Sequence, residues 1–172
     1  MNFVINKGIQ RKLKIWMVRV KLLNTPDYKI GKFLANLLQP LTINQYSVKD
    51  SFDAADRIKS IKPEIFNDGY KFVSFDVTSL FTNVPLTQTI NVILDRVYKQ
   101  KLIETRLKKR TLKKLILDTC QKTVFSANGQ LYQKINGVSM GACLGPVLAN
   151  IIMTEHEKVI VDHLIADGTI AF

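Results

Sequence analysis

Apolar residues return at spacings of three and four along most of this chain, and that period dictates helices before anything else. Residues 28–39 carry Ile30, Phe33, Leu34, Leu37 and Leu38 on one stripe, and Pro40 follows as a stop. Ser47, with Asp50 three residues on, reads as a short capping box; Phe52, Ala55, Ile58 and Ile61 then form a stripe expected to be buried, ended by Pro63. Residues 87–102 place Ile90, Ile93, Leu94 and Val97 on one face, and residues 111–125 repeat the pattern with Leu112, Leu115, Ile116 and Cys120. Pro146 opens a long helix through about Ile165, with Gly168 placed as its cap.

Two stretches depart from that period. Residues 71–77 (KFVSFDV) alternate and are rich in β-branched and aromatic side chains, which predicts a short strand ending near Asp76. Residues 124–132 (VFSANGQLY) read as a hairpin, because Asn128-Gly129 supplies the positive φ angles of a tight turn. Strands set among helices predict an α+β fold with helices packed on one face of a small antiparallel sheet.

The chain has 172 residues, 47% of them hydrophobic, enough to bury one sizeable core. It carries 25 Lys and Arg against 14 Asp and Glu, and the excess is concentrated. Residues 1–32 hold eight basic residues and one acid, and residues 96–114 hold nine and one. Two readings compete for these blocks: a surface that tracks a phosphate backbone, or two solvated helix faces. Cys120 and Cys143 form no C-x-x-C pair and read as reduced, buried small hydrophobes. His156-Glu157 begins like the zinc motif H-E-x-x-H, but Ile160 stands where the second ligand belongs. Arg11, Lys12, Lys14, Arg19 and Lys21 interrupt every apolar run that could become a signal peptide or a membrane span, so no membrane partner is expected; the acid-poor composition is compatible with a mitochondrial transit peptide.

Chemistry concentrates in two segments. In residues 72–85 (FVSFDVTSLFTNVP), Asp76 puts a carboxylate at the end of an apolar run, where it either binds a hard cation such as Mg²⁺ or caps the following turn. In residues 137–150 (GVSMGACLGPVLAN), three glycines and a proline precede a helix. Such a loop either lies against a flat ligand or serves packing alone. In this order, about sixty residues apart, the two segments resemble motifs A and B of reverse transcriptases, and their wording is close to Penelope-like retroelements: FVSFDVTSLFTNVPL, then GVSMGACLGPVLANI. The resemblance covers residues 24–172 and leaves 1–23 as a divergent basic segment.

That resemblance implies right-hand polymerase fingers plus a partial palm, and an RNA-directed DNA polymerase that uses an RNA template, a DNA primer and deoxynucleoside triphosphates. It makes Asp76 the carboxylate that bridges two catalytic Mg²⁺ ions, with the Val77 backbone carbonyl as a further ligand. Phe81 matches the aromatic steric gate that rejects a ribose 2′-hydroxyl; its alternative reading is a core aromatic. Met140 and Gly141 match the part of motif B that lies against the nucleotide, and Gly137, Ser139, Gly145 and Pro146 the part that turns toward template and primer. Cys143 and Gly145 stand where the commoner pattern has proline and serine. Motif C, an aromatic-x-Asp-Asp hairpin, has no counterpart in these 172 residues, nor do a thumb and a GIY-YIG endonuclease domain. Arg19 and Lys21 are candidates for the triphosphate. With one carboxylate the two-metal site is incomplete, and this chain is expected to be an inactive fragment by itself; the alternative is a non-catalytic nucleic-acid-binding remnant of a retroelement. Nuclear action is implied only by the family's lifestyle.

Overall fold

The structure, a computed structural model, describes residues 3–5, 26–61, 76–121, 124–127, 130–134, 136–139 and 141–168. Helices dominate it. They are α1 (Pro26–Leu38), continued by a 3-10 turn over Gln39–Thr42, α2 (Ser51–Ser60), the one-turn α3 (Leu80–Asn83), α4 (Leu86–Tyr98), α5 (Lys109–Gln121) and α6 (Leu144–Ala166).

The centre of the fold is the first half of α6. From Leu144 to Thr154 it is apolar almost all round, and a helix of that kind must be surrounded rather than laid on a surface. It is: α1, the 3-10 turn, α3, α4 and α5 all pack against α6. Leu144, Leu148 and Ile151 are fully buried there, with Leu34 and Leu38 of α1, Ile90 and Ile93 of α4 and Leu112 and Ile116 of α5. The stripes expected on α4 and α5 are therefore the buried faces. On α1 Leu34 and Leu38 are buried, Ile30 and Leu37 are partly buried against the core, and Phe33 stands half in solvent.

The expected α+β arrangement is overturned. The core described here is helix against helix, with no sheet serving as the platform, and Val84 and Val138 complete it from the loops. Three short segments, β1 (Phe3–Ile5), β2 (Val124–Ala127) and β3 (Gln130–Lys134), pair antiparallel with one another in the order β1-β3-β2. The main packing partners of the helices are other helices. Asp76 and Val77, the end of the expected central strand, are not in a strand; residues 71–75 lie outside the described residues, as do Asn128 and Gly129. The physical reason is volume: the apolar circumference of α6 already consumes the buried faces of α1, α4 and α5, so those faces are not left for a sheet to cover.

Helix α2 departs from expectation in two ways. Its cap is Asp50, whose carboxylate accepts from the backbone N–H groups of Phe52 and Asp53 at 2.9 Å each, while Ser47 bonds within a turn with Asn44. Its apolar stripe is not buried: Phe52 is 82% and Ile58 53% exposed. With little tertiary packing, α2 depends on its cap and on the Arg57–Asp53 pair at 3.2 Å. Asp50→Ala is expected to cost about 1 kcal/mol locally. The loss shows as faster amide exchange across 51–60, with the global unfolding midpoint almost unmoved.

Arg96 is the exception among the basic residues of 96–114. It is only 8% exposed. Its guanidinium donates to the Leu41 carbonyl at 2.8 Å, to the Thr154 hydroxyl at 3.0 Å and to the Glu155 carboxylate at 2.7 Å, tying α4 to the 3-10 turn and to α6. Arg96→Met keeps much of the volume but leaves the Leu41 carbonyl and the Thr154 hydroxyl short of a partner. Glu155 is 40% exposed and can be rehydrated, so the expected cost is about 2–4 kcal/mol rather than that of a fully buried pair, read by urea denaturation.

Among the described residues no helix is long and apolar enough to cross a membrane.

Candidate functional site

The segment after Asp76 builds its own turn. Ser79 sits in the left-handed region at φ 55°, ψ 43°, an uncommon conformation for a residue with a Cβ. Its carbonyl accepts from the backbone N–H groups of Thr82 at 3.0 Å and Asn83 at 3.3 Å and from the Thr82 hydroxyl at 2.8 Å. The Asn83 side-chain amide donates to the Thr78 carbonyl at 3.0 Å. These local bonds satisfy a chain reversal that ends in α3, and they leave Asp76 and Val77 exposed in front of it.

The second segment reaches the first through backbone. Val138 N–H donates to the Phe81 carbonyl at 2.7 Å. Gly137, at φ +73°, lies so close to the turn that a Cβ there would stand 2.4 Å from the Phe81 oxygen and 2.6 Å from the Thr82 oxygen. Only a residue without a side chain fits that approach. Val138 is buried in the core and anchors the loop from below. Beyond it the loop folds on itself: Ala142 N–H donates to the Ser139 carbonyl at 3.3 Å, Gly145 N–H to the Ala142 carbonyl at 3.1 Å, and a Cβ on Gly145 would meet the Ser139 oxygen at 2.8 Å.

The expected site residues thus fall into three groups. Asp76, Val77, Gly141 and Pro146 are exposed, Gly141 with φ +94° and Pro146 in the first turn of α6. Phe81 is half-buried and packs against the core, while Ser139 and Gly145 are buried; the Ser139 hydroxyl has no hydrogen-bond partner. Met140 lies outside the described residues, as do Arg19 and Lys21.

No protein family, curated protein or solved structure matches this chain.

The donor set can be tested against the Mg²⁺ that the motif wording implies. A two-ion site needs several oxygen ligands converging on the metals. Among the described residues no group of three or more His, Cys, Asp or Glu side chains gathers anywhere, and Asp76 is the one carboxylate of the 76–83 and 136–146 segments. These residues do not make a complete two-metal site. What the arrangement does is hold one exposed carboxylate on a self-bonded turn that a glycine-rich loop clamps from the side.

Two features escaped the sequence reading. The Phe81–Val138 bond has no local signal, because it joins residues 57 apart. Arg96 had one: it falls beside Val97 and three residues after Ile93, on the apolar face of α4 rather than in the solvated run with which its charge groups it.

Proposed function

We propose that this chain is a fragment of an RNA-directed DNA polymerase of the kind carried by Penelope-like retroelements, inactive alone and dependent on carboxylates supplied from elsewhere in the complete enzyme. One observation carries the reading. The two segments whose wording resembles motifs A and B, far apart in sequence, meet backbone to backbone at Phe81 and Val138, 2.7 Å apart. In this reading Asp76 and the Val77 carbonyl would be part of the ligand set for Mg²⁺ once further carboxylates are supplied, Phe81 would lie beside the incoming deoxynucleotide with Met140 and Gly141 flanking it, and Gly137, Ser139, Gly145 and Pro146 would shape the path of template and primer. The fold it uses is the helical one described above, not a sheet-based palm.

The chemistry assigned is in-line attack of a primer 3′-hydroxyl on the α-phosphorus of a deoxynucleoside triphosphate, forming one phosphodiester bond and releasing pyrophosphate. A non-catalytic nucleic-acid binder is the second reading, favoured by the exposed cations of 99–114.

Phe81 tests the reading through selectivity. In a chain extended to include motif C, Phe81→Ala is expected to raise ribonucleotide incorporation relative to deoxynucleotide by about tenfold to a hundredfold. Because Phe81 also packs on the core, the variant is compared at equal folded fraction by circular dichroism. Unchanged discrimination with intact folding assigns Phe81 to the core alone and removes it from the site.

A further inference from the structure

A groove of roughly 660 Å³ runs between the C-terminal part of α4 and the start of α5, lined by Asn91, Asp95, Lys99, Lys109, Arg110 and Lys113 along with Leu94. We infer that this groove binds the phosphate backbone of a nucleic acid at a site separate from the Asp76 turn. Along α4, which starts at Leu86 after that turn, the groove lies between about 7 Å (Asn91) and about 13 Å (Asp95) of helix away, at 1.5 Å per residue.

Charge carries the inference. Four cationic side chains, Lys99 just past the end of α4 and three from α5, line the groove with one carboxylate, and that carboxylate is already engaged. Lys99 reaches Asp95 at 2.5 Å, and this hydrogen bond, helped by one from Gln100, holds the Asp95 carboxyl below the ordinary carboxylate range. Asp95 therefore stays ionised at neutral pH and offsets Lys99, while Lys109, Arg110 and Lys113 remain as excess positive charge. The first turn of α5 contains no acid to relieve them. Lys101, Arg106 and Lys108 of the link between α4 and α5, and Lys114 of α5, are exposed as well. Several cations gathered on one groove suit a polyanion that carries many charges better than a single phosphate.

The same geometry disfavours a lipid surface. A helix that lies in a membrane interface needs its apolar face free beside its cations. The apolar face of α5, Leu112 and Ile116, is fully buried in the protein core.

The test is fluorescence anisotropy with a labelled single-stranded RNA of about 20 nucleotides, titrated between about 50 and 200 mM salt. EDTA is present throughout, so the result is independent of Asp76 and of the polymerase reading. The variant joins Lys109→Gln, Arg110→Gln and Lys113→Gln. It is expected to bind at least about tenfold more weakly, with the slope of log affinity against log salt reduced by about two, the value for three lost phosphate contacts on a single strand. A second variant, Lys109→Arg with Lys113→Arg, keeps the charge and is expected to keep both affinity and slope. Unchanged affinity and slope in the Gln variant overturn the inference, as does loss of binding in the Arg variant. Equal or tighter charge-dependent binding of this groove to polyglutamate or to phosphatidylserine vesicles overturns the assignment to nucleic acid.

Discussion

Gly137→Ala is expected to destabilise the protein by about 4 kcal/mol, far more than the loss of conformational freedom at one residue. Three costs add. The positive φ of +73° disfavours any L side chain by about 1–2 kcal/mol. A methyl group placed 2.4 Å and 2.6 Å from two carbonyl oxygens cannot be accommodated without moving backbone, and overpacking of this kind costs about 1–3 kcal/mol. Moving that backbone lengthens the Val138–Phe81 hydrogen bond, worth about 1 kcal/mol. Gly168 supplies the control. It has nearly the same φ, +75°, with nothing within 4 Å of its would-be Cβ, so Gly168→Ala carries the first cost alone. Urea denaturation of both variants separates conformational strain from contact. Equal losses for the two would mean that residues 137 and 81–82 do not touch.

The comparison bears on function as well, because Gly137 is where the loop before α6 is fixed against the Asp76 turn. A variant that survives folding with that contact opened would hold Asp76 on a turn supported by its own hydrogen bonds alone. In a chain extended through motif C, reduced nucleotide addition with only a modest stability loss would then point to positioning by the loop.

The helices were legible because period is a local property. Ile90, Ile93, Leu94 and Val97 announce one buried face, and so do Leu112 and Ile116, whatever lies opposite them. What lies opposite is not local. Phe52 and Ile58 make a stripe as regular as that on α4, yet among the described elements α2 has no close packing partner and the stripe stays exposed. An amphipathic pattern identifies which face can be buried, not that a partner exists. A sheet beneath the helices is expected from alternation in KFVSFDV and from the hairpin at 124–132; the hairpin strands pair as β2 and β3, but the continuous apolar run of LGPVLANIIMT carries the stronger signal for the core. A run of that kind, helical in period and without a polar face, requires neighbours on every side and leaves little need for a sheet beneath them.

The site was legible in composition and illegible in contact. Three glycines before a helix announce close backbone approach, and at Gly137 and Gly145 that approach occurs, but nothing in the loop names Phe81, Thr82 or Ser139 as the atoms approached. The basic run 96–114 is legible as charge, and the place of Arg96 on the apolar face of α4 marks it as inward, but its partners Leu41, Thr154 and Glu155 lie on other elements and have no local signal.

The largest effect of all is expected at Asp76. The most direct measurement is primer extension on an RNA template with Mg²⁺ and deoxynucleotides, comparing this chain with one extended through a downstream motif C and thumb, each with and without Asp76→Asn. Asp76 is exposed, so the substitution leaves stability within about 0.5 kcal/mol. Loss of the one carboxylate that the turn offers is expected to lower the rate of nucleotide addition by about a thousandfold or more, the scale of removing a major electrostatic contributor to a transition state. The expected result is DNA synthesis by the extended chain alone, abolished by Asp76→Asn. Extension by the short chain unaided, or an Asp76→Asn variant as active as its parent, would contradict it.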